Sequence, residues 1–446
     1  MLDILSLLQC LLPQIDATTM KQLNKIILAM LAMSGRVTML GISRWAGVGG
    51  SYRTMVRFFG TVIPWATLFW LFFRKHLFRE DEVYLLAGDE VVVSKSGKKT
   101  YGLDRFFSSL ASRPISAVSF FTLSLVSVEQ RHSFPIQIEQ VIKSDVEKSR
   151  SAPTPEKKPK EKGQRGRPKG SKNKNKSEVT LTSELVRIQQ MIKSLFKLLD
   201  GLIPLTYLVL DGHFGNNNAV QMARQVKLHI ISKLRHDSAL YFPYEHPDVG
   251  SRSRRKYGER VDYRNIPDKY LCKSTKEDEI QTDVYQATLL HKEFAQALNI
   301  VILVKTNLKT QIRSHVILFS SDLELSSAKI IDYYKLRFQI EFNFRDAKQF
   351  WGLEDFMNIG QTAVTNAANL AFFMVNLSHH ILADFRILNP DSGIIDLKAH
   401  YRGFRYVQEI LKILPEIPDP ILLNQLFAKL AADSRIHPVS TGVEPS

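Results

Sequence analysis

Cysteine is nearly absent from this 446-residue chain: Cys10 and Cys272 are the only two, separated by most of its length. That excludes a disulfide framework and any CxxC zinc site, and it favours a reducing compartment. Long apolar runs are missing too. The strongest, Pro64 to Phe73, is about half of what a bilayer-spanning helix needs, and it runs straight into Arg74, Lys75 and His76. The apolar start, MLDILSLLQCLLPQID, has no basic leader and carries Asp3 where a signal peptide wants Lys or Arg. It is expected to be the first helix of a soluble protein. No internal repeat is present.

Acid is scarce relative to base: 44 Asp and Glu against 60 Lys and Arg leave a formal charge of +16. A polyanionic partner follows, nucleic acid first and an anionic membrane surface second. The charge is concentrated. Residues 147–176 hold twelve Lys or Arg, three Glu and Ala152 as their only apolar residue, which is +9 of the total. Such a stretch buries too little apolar surface to order itself and is expected to be a basic, disordered loop. Within it, Gln164 to Gly170 resembles an AT-hook core, in which Arg165, Arg167 and Lys169 would lie in a narrow A·T-rich minor groove. The plainer alternative is a linker that binds phosphate without preference.

Patterning divides the rest. Residues 1–78 read as a helical N-terminal DNA-binding domain, with a period from Met20 to Leu31 after possible caps Thr18 and Thr19. A Gly-rich break at 47–50 precedes a short helix that Ser51 could cap and that carries Arg53 and Arg57, the outline of a helix-turn-helix. Residues 79–146 change to strands, VYLLAGDEVVVSK and SAVSFFTLSLVSV, and form the first segment of an α/β core. After the basic loop, 147–178, the second core segment spans 179–234: a helix, the strand LTYLVLD ending in Asp211, a GHFGNNN turn, a helix and the strand LHIISKL. That order is a parallel βαβ unit with an acid at the carboxyl edge of its first strand, where open α/β sheets place their sites. Residues 235–325 read as a β-rich insertion domain with a basic cluster containing Arg254 and Arg255. Residues 326–360 are the third core segment, a long helix capped by Ser326 or Ser327, and 361–446 are a helical C-terminal region.

The long helix carries Tyr334, Arg337, Glu341 and Lys348 at Y-(2)-R-(3)-E-(6)-K spacing. At about 100° per residue they fall on one narrow stripe, which Arg345 joins. Leu336, Phe338, Ile340, Phe342, Phe344, Ala347 and Phe350 cover most of the remaining circumference, as in a helix embedded in an interior. A carboxylate there is costly without a partner. A solvated ion-paired face is the bland reading; a carboxylate holding metal beside bases holding phosphate is the sharper one. Asp89, mid-strand, and Asp211 supply two further acids, with Glu90 as the alternative to Asp89. Three carboxylates suit Mg²⁺, two ions of which can drive in-line phosphoryl transfer. His213, after Asp211, is a weaker candidate for a phosphate contact.

The order Asp89, Asp211, Glu341 with the complete Tyr334, Arg337, Glu341, Lys348 signature resembles the DDE transposases of bacterial insertion sequences, the YREK-signature group of the insertion sequence four family. The resemblance covers roughly residues 80 to 360. It implies an α/β, RNase H-like catalytic core, a mixed sheet flanked by helices, with a β-rich insertion. Asp89, Asp211 and Glu341 would be catalytic and would ligate two Mg²⁺, with Mn²⁺ as a substitute. Tyr334, Arg337 and Lys348 would contact DNA near the scissile phosphate. The implied partners are double-stranded terminal inverted repeats and target DNA, bound by a homodimer in the bacterial cytoplasm, with no membrane and no small-molecule cofactor. The implied activity is cut-and-paste transposition; a metal-dependent nuclease without strand transfer and an inactive, DNA-binding repressor are the alternatives. In hairpin-forming members an insertion-domain tryptophan stacks on a flipped base, yet Trp45, Trp65, Trp70 and Trp351 all lie outside 211–341. Tyr241, Phe242, Tyr244 or Tyr257 could substitute, since any aromatic face stacks.

Overall fold

The structure, a computed structural model, describes residues 3–108, 111–143, 175–244, 256–388, 390–416 and 418–433. The chain opens with five helices: α1 (Ile4–Leu8), α2 (Ala17–Ala32), α3 (Met39–Trp45), α4 (Tyr52–Gly60) and α5 (Trp65–His76). The start of α2 departs from the expected threonine cap. Asp16 accepts from the backbone N–H groups of Thr18 and Thr19 at 2.8 and 3.0 Å. Both threonines already lie in the first turn, and a carboxylate ahead of them also suits the positive end of the helix dipole. Ser51 caps α4 as expected, accepting from Thr54 N at 3.3 Å. Met55, Phe58 and Phe59 bury one face of α4, leaving Arg53 and Arg57 exposed.

The strands are β1 (Tyr84–Ser94), β2 (Asp104–Ser108), β3 (Arg113–Ser127), β4 (His132–Val141), β5 (Tyr207–Val209), β6 (His229–Leu234), β7 (Leu240–Pro243), β8 (Tyr257–Arg260), β9 (Leu271–Glu277), β10 (Ile280–His291), β11 (Leu298–Asn307) and β12 (Arg313–Ser320). Helices α6 (Ser183–Leu199) and α7 (Asn217–Gln225) flank β5 in sequence. Among the described residues all twelve strands join one mixed sheet, ordered β2-β3-β1-β5-β6-β12-β11-β10-β7-β8, with β4 also on β3 and β9 on β10. β1, β5 and β6 run parallel; the other pairings are antiparallel. The 235–325 segment therefore extends the edge of the same sheet. Its strand β12 pairs with β6 from Ile317↔Leu234 to Ser320↔Ile231.

The remaining helices are α8 (Ser327–Leu336), α9 (Gln339–Gln349), α10 (Gln361–Leu388), α11 (Ile394–Leu411) and α12 (Pro420–Asp433). α10 is the central one. Its Leu370 to Val375 stretch is buried, and it packs on α4, α5, α9, α11 and β4. Buried Asn366 on α10 donates to the carbonyls of Phe59 and Thr61 at 2.8 and 2.7 Å and accepts from Trp65 Nε1 at 2.7 Å. Those carbonyls end α4 and have no partner within the helix, so one amide side chain secures the turn into α5. Among the described residues no single helix is long and apolar enough to cross a membrane.

The expected long helix over the signature is in fact two. Ser326 caps α8 as read, but the helix breaks at Arg337–Phe338 before α9 begins. Through the break the backbone tightens: Phe338 N donates to Lys335 O, Ile340 N to Arg337 O and Glu341 N to Phe338 O, all three residues apart. The apolar surround is also incomplete. Leu336, Ile340, Phe344 and Ala347 are buried, whereas Phe338 and Phe342 are 50% and 37% exposed and pack edge to face on each other. Burial of one face alone is enough to hold α9 on β4 and α10, so the opposite face stays open.

Candidate active site

Asp89 reaches its position through sheet register. The parallel pairing of β1 with β5 sets Leu86 opposite Leu208 and Ala87 opposite Val209. Two residues further along both chains, Asp89 and Asp211 come level at the carboxyl edge of β5, on the same side because strand side chains alternate. Asp211 then turns the chain, accepting from His213 N at 3.1 Å, while its own carbonyl accepts from Ser232 Oγ at 2.6 Å. Glu90, next along β1, accepts from Ser119 Oγ at 2.5 Å and also lines the groove, but by register it is Asp89 that comes level with Asp211.

Glu341 comes from the first turn of α9, whose orientation is set by buried Asn343 donating to Ser133 Oγ of β4 at 2.9 Å. Asp89, Asp211, Glu341, Arg345 and Lys348 line one open groove of about 970 Å³. Tyr334 and Arg337 line an adjoining hollow of about 430 Å³ that also meets Asp211. The signature residues therefore converge, and its two bases are already engaged by groups of the protein itself. Arg337 turns inward: its Nη1 donates to Asp89 Oδ2 at 2.5 Å and its Nη2 stands 3.5 Å from Glu341 Oε1. Lys348 Nζ donates to the Val92 carbonyl at 3.0 Å and pairs with Glu354 at 3.2 Å, clamping α9 to β1. Arg345 pairs with Asp346 and lies over the Phe342 ring.

Burial pushes the Asp89 carboxyl up to about 6, with Asp211 and Glu341 adding to the rise and Arg337 opposing it. Desolvation thus outweighs the guanidinium. Tyr334 is also raised by burial, opposed by nearby Arg337 and reinforced by Asp211 and Asp89. His213 is raised by its hydrogen bond to Glu184, whose Oε2 is 3.2 Å from Nε2. Glu184, at the start of α6, lines the groove and carried no sequence signal.

Among the described residues no three of His, Cys, Asp and Glu stand close enough together to hold a metal ion. The donor chemistry nevertheless fits one. Asp89, Asp211 and Glu341 offer carboxylate oxygens, the ligands that hard divalent cations take, and the buried member of the set already draws a cationic group to itself. Of the other DNA-contact candidates, Arg53 and Arg57 lie on α4, outside this groove, and Arg165, Arg167, Lys169, Arg254 and Arg255 lie outside the described residues. In the 235–325 segment Phe242 stacks on Tyr270 with centroids 5.0 Å apart, and Tyr241 meets Tyr257 edge to face.

A large mixed sheet with flanking helices and an acidic groove at the carboxyl edge of its parallel strands is an α/β architecture consistent with a DDE nuclease fold. The chain matches the family described as DDE superfamily endonuclease over residues 10–297, more than half its length, and it belongs to that family. Members of that superfamily generally use divalent metals, and membership implies a DNA substrate. The matched span includes Asp89 and Asp211 and stops before Glu341. No curated protein matches the chain.

Proposed function

We propose that this protein is a cut-and-paste DNA transposase of the insertion-sequence type, which cleaves at element ends and joins the freed 3′-hydroxyls to target DNA. The observation that carries this reading is the register match of Asp89 with Asp211, with Glu341 facing the same groove, in a chain of net charge +16. Asp89, Asp211 and Glu341 would hold two Mg²⁺, or Mn²⁺ in their place. Bound there, the ions would supply an activated oxygen nucleophile and stabilise the leaving oxygen.

The chain's own groups do the rest. The buried setting of Asp89 keeps bulk water from one side of the reacting phosphodiester and strengthens every charge interaction there. His213, held by Glu184, stays protonated to higher pH than a free imidazole and offers a cation at the groove wall. Lys348 fixes the angle at which α9 presents Glu341. Tyr334 and Arg337 flank the point where a strand enters from the adjoining hollow. Arg53 and Arg57 on α4, with Arg165, Arg167, Lys169, Arg254 and Arg255, hold the duplex backbone, and two copies act on paired element ends in the cytoplasm.

The test incubates labelled element-end DNA with the protein, Mg²⁺ and a supercoiled plasmid, in parallel with Glu341→Gln. Native protein yields cleaved and joined products and the variant yields neither. Undiminished cutting by Glu341→Gln sinks the assigned acid. Cutting without joining favours the nuclease reading, which the family's description as an endonuclease supports.

A further inference from the structure

Arg337 belongs to the signature, yet its side chain turns into the protein. It is only 13% exposed, its two terminal nitrogens address Asp89 and Glu341, and its Nε is buried without a partner. A buried guanidinium nitrogen left unpaired is an arrangement with a cost, which persists because the carboxylates on either side demand positive charge. The same carboxylates are the ones that chemistry assigns to a divalent cation. Both oxygens of Asp89 are taken, Oδ1 by the Glu90 N–H at 2.8 Å and Oδ2 by Arg337, so a divalent cation drawing on Asp89 and Glu341 would have to displace the guanidinium, and two cations at that range would repel each other.

We infer that the Arg337 guanidinium stands in for the divalent cation, so that Arg337 and the metal exclude each other at Asp89 and Glu341. The inference rests on the reading of those acids as metal ligands. Arg337 also sits at the join between α8 and α9, from which its long side chain reaches the acids while lining the adjoining hollow. Displaced, the guanidinium would face the hollow lined by Asp211, Lys233, Arg235 and Tyr334, where a phosphodiester is the anion available to it. Metal loading and phosphate capture then become two halves of one exchange, and without metal the guanidinium offsets part of the acids' charge.

The experiment measures Mn²⁺ binding by calorimetry to the full-length chain without DNA, for the native protein, Arg337→Gln, Arg337→Lys and Asp89→Asn, with a thermal melt of each in metal-free buffer. Arg337→Gln is expected to bind Mn²⁺ about tenfold more tightly than native, within the usual range of coupling between competing ligands. Arg337→Lys, which keeps the charge, stays within about threefold of native. Equal or weaker binding by Arg337→Gln overturns the inference, and so does Arg337→Lys binding as tightly as Arg337→Gln. Should the melt show that Arg337→Gln is unfolded, Arg337→Met, which retains the apolar stem, takes its place under the same criteria. Asp89→Asn is expected to lose the binding; if it binds like native, the metal-ligand reading itself fails, an outcome separate from the first two.

Discussion

Arg337 Nη1 lies 2.5 Å from Asp89 Oδ2, a link between the break after α8 and the middle of β1 across 248 positions of sequence. Both side chains are mostly buried, so the pair is shielded from the screening that weakens surface ion pairs. Arg337→Ala is expected to cost the metal-free protein about 2 kcal/mol, because Asp89 is left without its counter-charge. A double-mutant cycle with Asp89→Ala, read by urea denaturation, is expected to return a coupling of about 1–2 kcal/mol. Strict additivity would show that the contact contributes nothing.

A second prediction concerns acid. His132 and His379 stack with centroids 3.7 Å apart, and burial lowers them to about 3 and about 4. Both are held neutral in the fold while the unfolded chain titrates near the ordinary 6.5, so the stability they contribute is present above that value. It is lost as pH falls below 6.5 toward the folded values. Together they are expected to lower unfolding free energy by roughly 4 kcal/mol between pH 7 and pH 5, about 1.4 kcal/mol per proton per pH unit. His132→Phe should remove about half of that slope in denaturation curves taken across the range.

Gly352 is placed at φ +79°, and a Cβ built there falls 2.4 Å from Val37 Cβ. This is where the turn after α2 docks on the segment after α9, next to the Val37 N–H bonded to Asp355 at 2.9 Å. Gly352→Ala is expected to cost about 3 kcal/mol, combining backbone strain with overlap. Gly35→Ala, at φ +77° with no atom within 4 Å, is expected to cost about 1 kcal/mol. Similar melting temperatures for the two variants would mean that Val37 yields freely.

For α4, Arg53→Ala with Arg57→Ala is expected to weaken DNA binding across unrelated sequences. The slope of log affinity against log salt should become shallower by about one for each arginine lost, measured by fluorescence anisotropy. An unchanged slope would place the backbone contacts elsewhere.

Much of the local architecture was legible in the sequence. Ser51 and Ser326 cap their helices because a side-chain oxygen before a helical run satisfies orphan N–H groups wherever the run packs. The βαβ order around Asp211 was readable from alternating periods. The break at Arg337–Phe338 was not, since the apolar period continues through it and only the fold gives the two helices different partners, α8 on β6 and β12 and α9 on β4 and α10. The exposure of Phe338 and Phe342 was hidden for the same reason: apolar identity does not say which neighbour arrives.

The sequence by itself determined the basic balance, the helix starts at Ser51 and Ser326, the order of Asp89, Asp211 and Glu341 along the chain and the spacing of Tyr334, Arg337, Glu341 and Lys348, because those depend on composition and on neighbours a few residues apart. Tertiary structure alone decided that Asp89 stands level with Asp211, that residues 271–320 extend the core sheet, and that Arg337 turns to Asp89. Strand register and the desolvation of a buried carboxylate are settled between segments far apart in the chain, and no local period encodes them.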